Sequence, residues 1–357
     1  VNAALVLALL APAADPVPAP DVRDNVARGL KWLADQQKPD GSWDGQMAAA
    51  RTLVTSRAGI ALLLEGSTPG SGKYAPQVRK TIDWFASIQA ADGRTSASGQ
   101  PDERLAVHAH AAALLFLVCA HDAESDPERA KRISKLIDRA IEFAVAKQGP
   151  NGGWGPSANA GVANSENGSQ TCEVLHALLA ARKSGFAVPR DATERGARWL
   201  QRASAADGSV LYAVGALGRV PQSGGTPDVT GGAAALALTG GEPLPDQLPG
   251  WVRSSRRALG NYERALPQQN SVAMQQALLF ARVASALGER GHDRLDSADE
   301  SVQVVWSRER AKLFKAVTAI QKADGGWADQ FGAPALASAC ALTVLQLDNG
   351  YLPAFTR

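Results

Sequence analysis

The sequence predicts an all-α fold, a double ring of helices of the (α/α)6 toroid type. Two observations carry that prediction: a short phrase that returns along the chain, and an alternation of charged and almost uncharged helical segments. The phrase is Gln-x-x-x-Gly-x-Trp. It spans Gln37 to Trp43, Gln148 to Trp154 and Gln321 to Trp327. An aromatic residue stands five positions before the Gln in the first two copies (Trp32, Phe143), and Ala316 stands there in the third. Three copies with one spacing in 357 residues mark internal repetition. Weaker copies at Gln89 (with Trp84 and Gly93) and at Ser204 (with Trp199 and Gly208) fill the gaps. The markers at 37, 89, 148, 204 and 321 lie 52, 59, 56 and 117 residues apart. The last interval is about twice the others, so a degenerate unit is expected between 240 and 290, which makes six.

Each unit has one internal plan. A first helix carries charge on one side and ends at the Gln; in the first unit Val22, Val26, Leu30 and Leu33 recur at helical spacing. Asp21 is the expected N-cap there, with Asp24 in the first turn. A Gly-rich loop follows, because Gly takes backbone angles that end a helix. Then comes a nearly uncharged helix: Thr52 to Leu64, Leu105 to Ala120, Thr171 to Ala181, Gly231 to Leu238, Val272 to Leu287 and Pro334 to Leu347. A helix apolar on nearly all sides is buried on nearly all sides. Six amphipathic and six apolar helices in alternation therefore imply an outer ring covering an inner one around a central cavity. An open solenoid would stack helix pairs too, but it needs polar capping units that the ends of this sequence do not offer. The Gln amide, a donor and an acceptor, is expected to tie adjacent units on the outside, with the Trp packed over it.

Composition narrows the function. The 37 basic and 35 acidic residues nearly balance and form no basic run, which argues against nucleic acid as a partner. Residues 1–20 read as a signal-peptide remnant with a Pro-rich spacer, Ala3 to Leu10 being the apolar core and Ala11-Pro12-Ala13 the small-residue site. That run is too short to span a membrane, and export to a periplasm or beyond is the expectation. The single toroid domain is then 21–357. Cys119, Cys172 and Cys340, odd in number and all in apolar helices, read as buried thiols rather than a disulfide framework.

These residues resemble the squalene-cyclase and prenyltransferase repeat superfamily, whose members are α/α toroids carrying this Gln-Trp repeat. The resemblance runs from about Asp21 to Arg357. It is nearest to secreted planctomycete-type prenyltransferase/squalene oxidase repeat proteins, in the segment Ser169 to Leu178 and in the tail Tyr351-Leu352-Pro353-Ala354-Phe355-Thr356-Arg357. The resemblance implies the fold; a fold hosts many functions.

The chemistry of the superfamily is harder to find. Cyclases protonate an alkene with an Asp-x-Asp-Asp cluster, and this sequence has no adjacent Asp pair at all. The Asp-Asp-x-x-Asp cluster that holds magnesium on a diphosphate is missing too. Aromatic rings for cation stabilisation are few in the predicted inner helices, Phe116 and Phe280 foremost. Protein prenyltransferases bind zinc through Asp, Cys and His; here Cys172 and His176, at i and i+4, form a weak candidate pair with Glu173 beside them. His108 and His110 are further lumen candidates. The acidic run Asp293, Asp296, Asp299 and Glu300 lacks the Gly turn and ligand spacing of a calcium loop.

The reading is an exported toroid without cyclase chemistry and with no cofactor, zinc being the alternative. Its Ala-, Leu- and Val-rich cavity is expected to bind an apolar or isoprenoid-like small molecule. The alternatives are an enzyme on a lipid, terpenoid or polysaccharide with non-standard catalytic residues, and a scaffold with a filled core. His108, His110, Cys172, Glu173 and His176 are the candidate ligand contacts.

Overall fold

The structure is a computed structural model that describes residues 20–45, 48–97, 103–156, 166–205, 207–211, 213–214, 227–239, 245–268, 271–295 and 302–355. The expected leader and spacer, apart from Pro20, lie outside the described residues. So do the last two residues of the tail and most of the acidic run.

Twelve α-helices alternate in the described chain: α1 (Arg23–Asp35), α2 (Ala48–Leu64), α3 (Ala75–Ile88), α4 (Glu103–Asp122), α5 (Pro127–Ala146), α6 (Gly168–Lys183), α7 (Arg190–Arg202), α8 (Pro227–Thr239), α9 (Leu248–Ala265), α10 (Ser271–Leu287), α11 (Trp306–Ala319) and α12 (Pro334–Leu345). The even-numbered helices pack in the cyclic order α2, α4, α6, α8, α10, α12 and back to α2. The odd-numbered helices lie against them from outside. This is the expected closed double ring. The degenerate unit is present as α9 and α10. A two-residue antiparallel ladder, Glu166↔Val214 and Asn167↔Ala213, is the only sheet among the described residues, beside the single bridges Ser204↔Val210 and Gln321↔Trp327.

Local sequence explains the helix starts. Asp126 and Asn167 cap α5 and α6 by accepting from the backbone N–H of Arg129 (2.8 Å) and Gln170 (2.9 Å). The cap expected at Asp21 falls one residue late: Val22 is the boundary residue, and Asp21 accepts from the N–H of Arg23 at 3.1 Å from the position before it. Segment Leu105–Asp122 of α4 is long and apolar enough to cross a membrane, and it is mostly buried in the inner ring.

The recurrent phrase forms the same joint wherever it occurs. The Gln side-chain nitrogen donates to the carbonyl of the loop Gly and to a carbonyl of the next outer helix. Gln37 reaches Gly41 (2.9 Å) and Gln77 of α3 (3.0 Å), and Gln148 reaches Gly152 (2.7 Å) and Ala192 of α7 (2.8 Å). Gln321 reaches Gly325 (2.8 Å) and Asn25 of α1 (2.9 Å), and that last bond joins the end of the ring to its beginning. The Trp does not sit outside over the amide as expected. Trp43, Trp154 and Trp327 are fully buried between the two rings. Their indole N–H groups donate to Leu33, Ala144 and Val317 carbonyls of the unit's own outer helix at 2.7–2.8 Å. Their backbone N–H groups donate to Thr55, Thr171 and Ser338 of the inner helix. A buried indole needs such an acceptor, and the loop supplies it by geometry.

The Gly of the phrase is required twice over. Gly325 has φ +98°, and a side chain there would lie 2.6 Å from the Arg28 carbonyl of α1. The aromatic residue five before the Gln receives the preceding unit's loop: a side chain on Gly326 would come within 2.6 Å of Trp32. This accounts for Ala316. The connection before its unit, from α9 to α10, contains the 3-10 turn Leu266–Gln268 instead of the Gly loop.

Gln321→Ala is expected to cost about 1–3 kcal/mol, because two carbonyls and the Asn25 amide lose their partner. Gly325→Ala should cost at least as much, through strain and the approach to Arg28. Gly185→Ala, at φ +89° with open space around it, should cost less. Urea unfolding of the three variants checks the order.

Candidate functional site

Three of the six inner helices carry one charge each within the apolar stretches read from the sequence: Arg57 on α2, Glu173 on α6 and Arg282 on α10. These are alternate helices of the ring, and their side chains meet at its centre. Arg57 donates to Glu173 at 2.6 Å, with both side chains almost wholly buried (11% and 8% exposed). Arg282, itself buried, donates to Nε2 of His176 at 2.9 Å. An arginine only donates, so His176 accepts at Nε2 and its proton sits on Nδ1. The Ala354 carbonyl at 3.2 Å from Nε2 then rests beside the ring without a hydrogen bond. Nδ1 is buried and has no partner.

The C-terminal tail closes one side of this cluster. Phe355 packs edge-on against His176 (5.6 Å between centroids) and under the Arg282 guanidinium (5.5 Å). Lys183 holds the tail through the Pro353 carbonyl at 3.0 Å. The tail is itself anchored to the ring, with Gln346 and Asn349 donating to Ala61 and Leu64 of α2.

A central cavity of about 210 Å³ remains, lined by Arg57, His108, Ser169, Cys172, Glu173, Gln275, Gln276, Arg282 and Cys340, with a few small and aliphatic residues. Ser169 and Val272, in the first turns of α6 and α10, show that it reaches the N-terminal ends of those helices. A larger cavity of about 290 Å³ lies off the axis between α6, α7, α8 and α9. Its carboxylate, Glu194, is half-exposed and paired with Arg190 on the surface, and no buried charge enters it.

Electrostatics fix the protonation states. Burial alone would raise the Glu173 carboxyl, but Arg57 beside it, together with the neighbouring His108, His176 and Arg282, outweighs that and holds it at about 2. Burial, and then the Arg282 charge, push His176 down to about 3. Burial lowers Arg282 to about 10, which leaves it charged at neutral pH. The cluster thus carries two cations, one anion and a neutral imidazole.

The lining keeps part of the Leu- and Val-rich surface expected, in Val272, Leu278 and Leu279, but adds guanidinium and amide side chains that the expectation did not include. The other small residues of the inner helices pack helix against helix, and Phe116 does the same, lying against Phe85 and Gly59 between the rings. Of the candidate contacts, His108, Cys172 and Glu173 line the cavity. His176 lies behind it, with its Nε2 lone pair used by Arg282, so Cys172 and His176 do not open onto one metal position. Among the described residues no group of three or more His, Cys, Asp or Glu side chains could hold a metal ion. His110 belongs to a joint rather than to the lumen. Its Nδ1 accepts from the N–H of Thr95 (2.9 Å), where other units use a hydroxyl, and its Nε2 donates to the Ala140 carbonyl (3.0 Å). Burial holds it neutral, down to about 4. Cys119, Cys172 and Cys340 are buried free thiols, as expected.

The sequence comparison finds human lanosterol synthase, 25% identical over 154 residues, which are 41% of this chain and 20% of that protein. A type II terpene cyclase from Scytonema, solved with geranylgeranyl dihydroxybenzoate, superposes with a TM-score of 0.55 at 13% identity, over 92% of this chain and 97% of that one. This chain is squalene-cyclase-like. No family model matches its sequence. The squalene-cyclase-like chain matches about a fifth of the length of the curated relative. The toroid is also shared with the cellobiose 2-epimerase of Spirochaeta thermophila, TM-score 0.57 at 13% identity, over 92% and 98% of the two chains.

Stability should fall as pH drops. His110 and His176 bind protons in the unfolded chain near 6.5 and in the folded one only near 4 and 3. Their neutral forms cost nothing above 6.5, and acidification below it favours unfolding. Glu173 adds to this between about 4.5 and 2, where its folded-state advantage is lost. His110→Thr, which restores the hydroxyl used elsewhere, should flatten the slope between pH 6.5 and 4 in urea titrations.

Proposed function

We propose that this squalene-cyclase-like toroid binds a small, hydroxyl-bearing ligand of the carbohydrate class in its central cavity, without terpene-cyclase chemistry. One observation carries the reading: beside the aliphatic Val272, Leu278 and Leu279, the polar part of the described lining is Arg57, His108, Ser169, Glu173, Gln275, Gln276 and Arg282, with no Phe, Tyr or Trp among the described residues. A carbocation would find no Phe, Tyr or Trp face among those residues and would meet two guanidinium charges. The sequence also has no Asp-x-Asp-Asp acid. At about 210 Å³ the space is below the usual range for whole-ligand pockets, about 300–1,000 Å³, and suits a sugar-sized group better than a long isoprenoid. These features support a polar ligand over the apolar one expected from composition. The same toroid serves a sugar epimerase, which makes such a ligand compatible with the fold.

Binding is favoured over glycoside cleavage. Hydrolysis by the usual route needs two carboxyl groups, one of them protonated. The described lining contributes one, Glu173, and Arg57 keeps it ionised. His176 is tied to Arg282 and does not face the cavity.

Calorimetry with a panel of monosaccharides, D-glucose and D-glucuronate among them, and with geranylgeraniol tests the reading. A monosaccharide should bind, and Gln276→Trp, which fills the cavity, should weaken it about tenfold or more. Geranylgeraniol bound in the wild type and displaced by Gln276→Trp, with no sugar bound, would contradict it.

A further inference from the structure

The charges at the centre of the ring do not balance. Arg57 and Glu173 neutralise each other at 2.6 Å. Arg282 hydrogen-bonds no carboxylate among the described residues: its hydrogen-bond partner is the neutral His176, it lies over the face of Phe355, and the Glu173 charge that reaches it is the one already bonded to Arg57. Glu173 is the sole carboxylate lining the cavity among the described residues, and it already serves Arg57. A buried, unmatched guanidinium is costly, and buried charges are ordinarily paired. Nothing in the packing demands a charge here, since a Met or Leu would cover Phe355 as well. The fold carries the cost of a cation that faces a cavity.

We propose that the cavity is an anion site, in which Arg282, with Arg57 behind it, takes the carboxylate of a small hydroxylated organic acid. This rests on the polar-ligand reading above and specifies its charge. The guanidinium fork matches the two oxygens of a planar carboxylate. Gln275, Gln276 and Ser169 line the same space and supply donors and acceptors for hydroxyl groups. Glu173 sets the selectivity. It neutralises Arg57 and leaves a net charge of about one, suited to a monoanion, and it repels groups with a higher negative charge. An acid of this kind, such as a sugar acid, meets all three requirements.

The test compares D-glucuronate, D-glucose and inorganic phosphate by calorimetry at fixed ionic strength and pH 7, on wild type and on Arg282→Gln and Arg282→Lys. The wild type should bind glucuronate about tenfold or more tighter than glucose. Arg282→Gln should remove that preference, and Arg282→Lys should keep part of it. Without ligand, Arg282→Gln should melt no lower than wild type, because it discharges an unmatched cation. That melting point separates lost binding from lost fold. Equal binding of glucose and glucuronate would overturn the anion site and leave the polar-ligand reading standing. Phosphate bound tighter than glucuronate would overturn the organic acid. Geranylgeraniol bound in place of every sugar and anion would overturn both readings.

Discussion

A ring of helix pairs has no free ends, so its last pair must bind its first as firmly as any other neighbours. Here that requirement falls on Gln321. Its amide nitrogen spans from its own loop to the Asn25 carbonyl of α1, and its oxygen accepts from the Asn25 amide at 2.7 Å and from Arg28 at 3.0 Å. Trp327 lies against Gly29 of α1, and Gly326 against Trp32. Apart from the bond to its own loop, each of these contacts joins residues about 300 positions apart in sequence. Closing the ring brings α2 beside α12 and faces α2, α6 and α10 towards a common centre. The central cluster exists only because the joint closes.

The joint also shows how one short phrase can specify a large fold. Each copy satisfies two carbonyls with the Gln, one with the indole, and one backbone N–H with an inner-helix hydroxyl. Each such bond contributes about 0.5–1.5 kcal/mol, so a single joint is modest and the circle of joints is not. The glycine lets two backbones touch, which no other residue allows at φ +98°. Where the joint is replaced, as between α9 and α10, the aromatic socket of the following unit is lost with it.

Much of the fold was legible in the sequence. Six apolar stretches became six inner helices, and the long gap between 204 and 321 held the degenerate pair. The position of the Trp is not legible locally: a Trp near a Gln suggests stacking, while its burial between rings depends on tertiary closure. His110 reads as a lumen residue from sequence because it stands near the start of an inner helix. Its partners, the Thr95 amide and the Ala140 carbonyl, come from other parts of the chain. The cavity's character was missed for a related reason. Average composition described the inner helices as uncharged, and it hid that three of them carry a single charge each. A lone charge in a helix buried on all sides must meet a partner or a ligand. Glu173 is among the sequence candidates, and Arg57 and Arg282 are detectable by the same rule, although the convergence of the three requires the ring order.

The account joins two scales: a circle of outer joints, and a charged centre built from alternate inner helices. The measurement that tests both is a double-mutant cycle of Arg57→Gln and Glu173→Gln by urea unfolding at pH 7. These residues are 116 apart in sequence and on different helices. A closed ring with a charged lumen predicts a coupling of about 1–3 kcal/mol. Additive effects, with a coupling under about 0.5 kcal/mol, would mean that the two side chains do not meet at the centre.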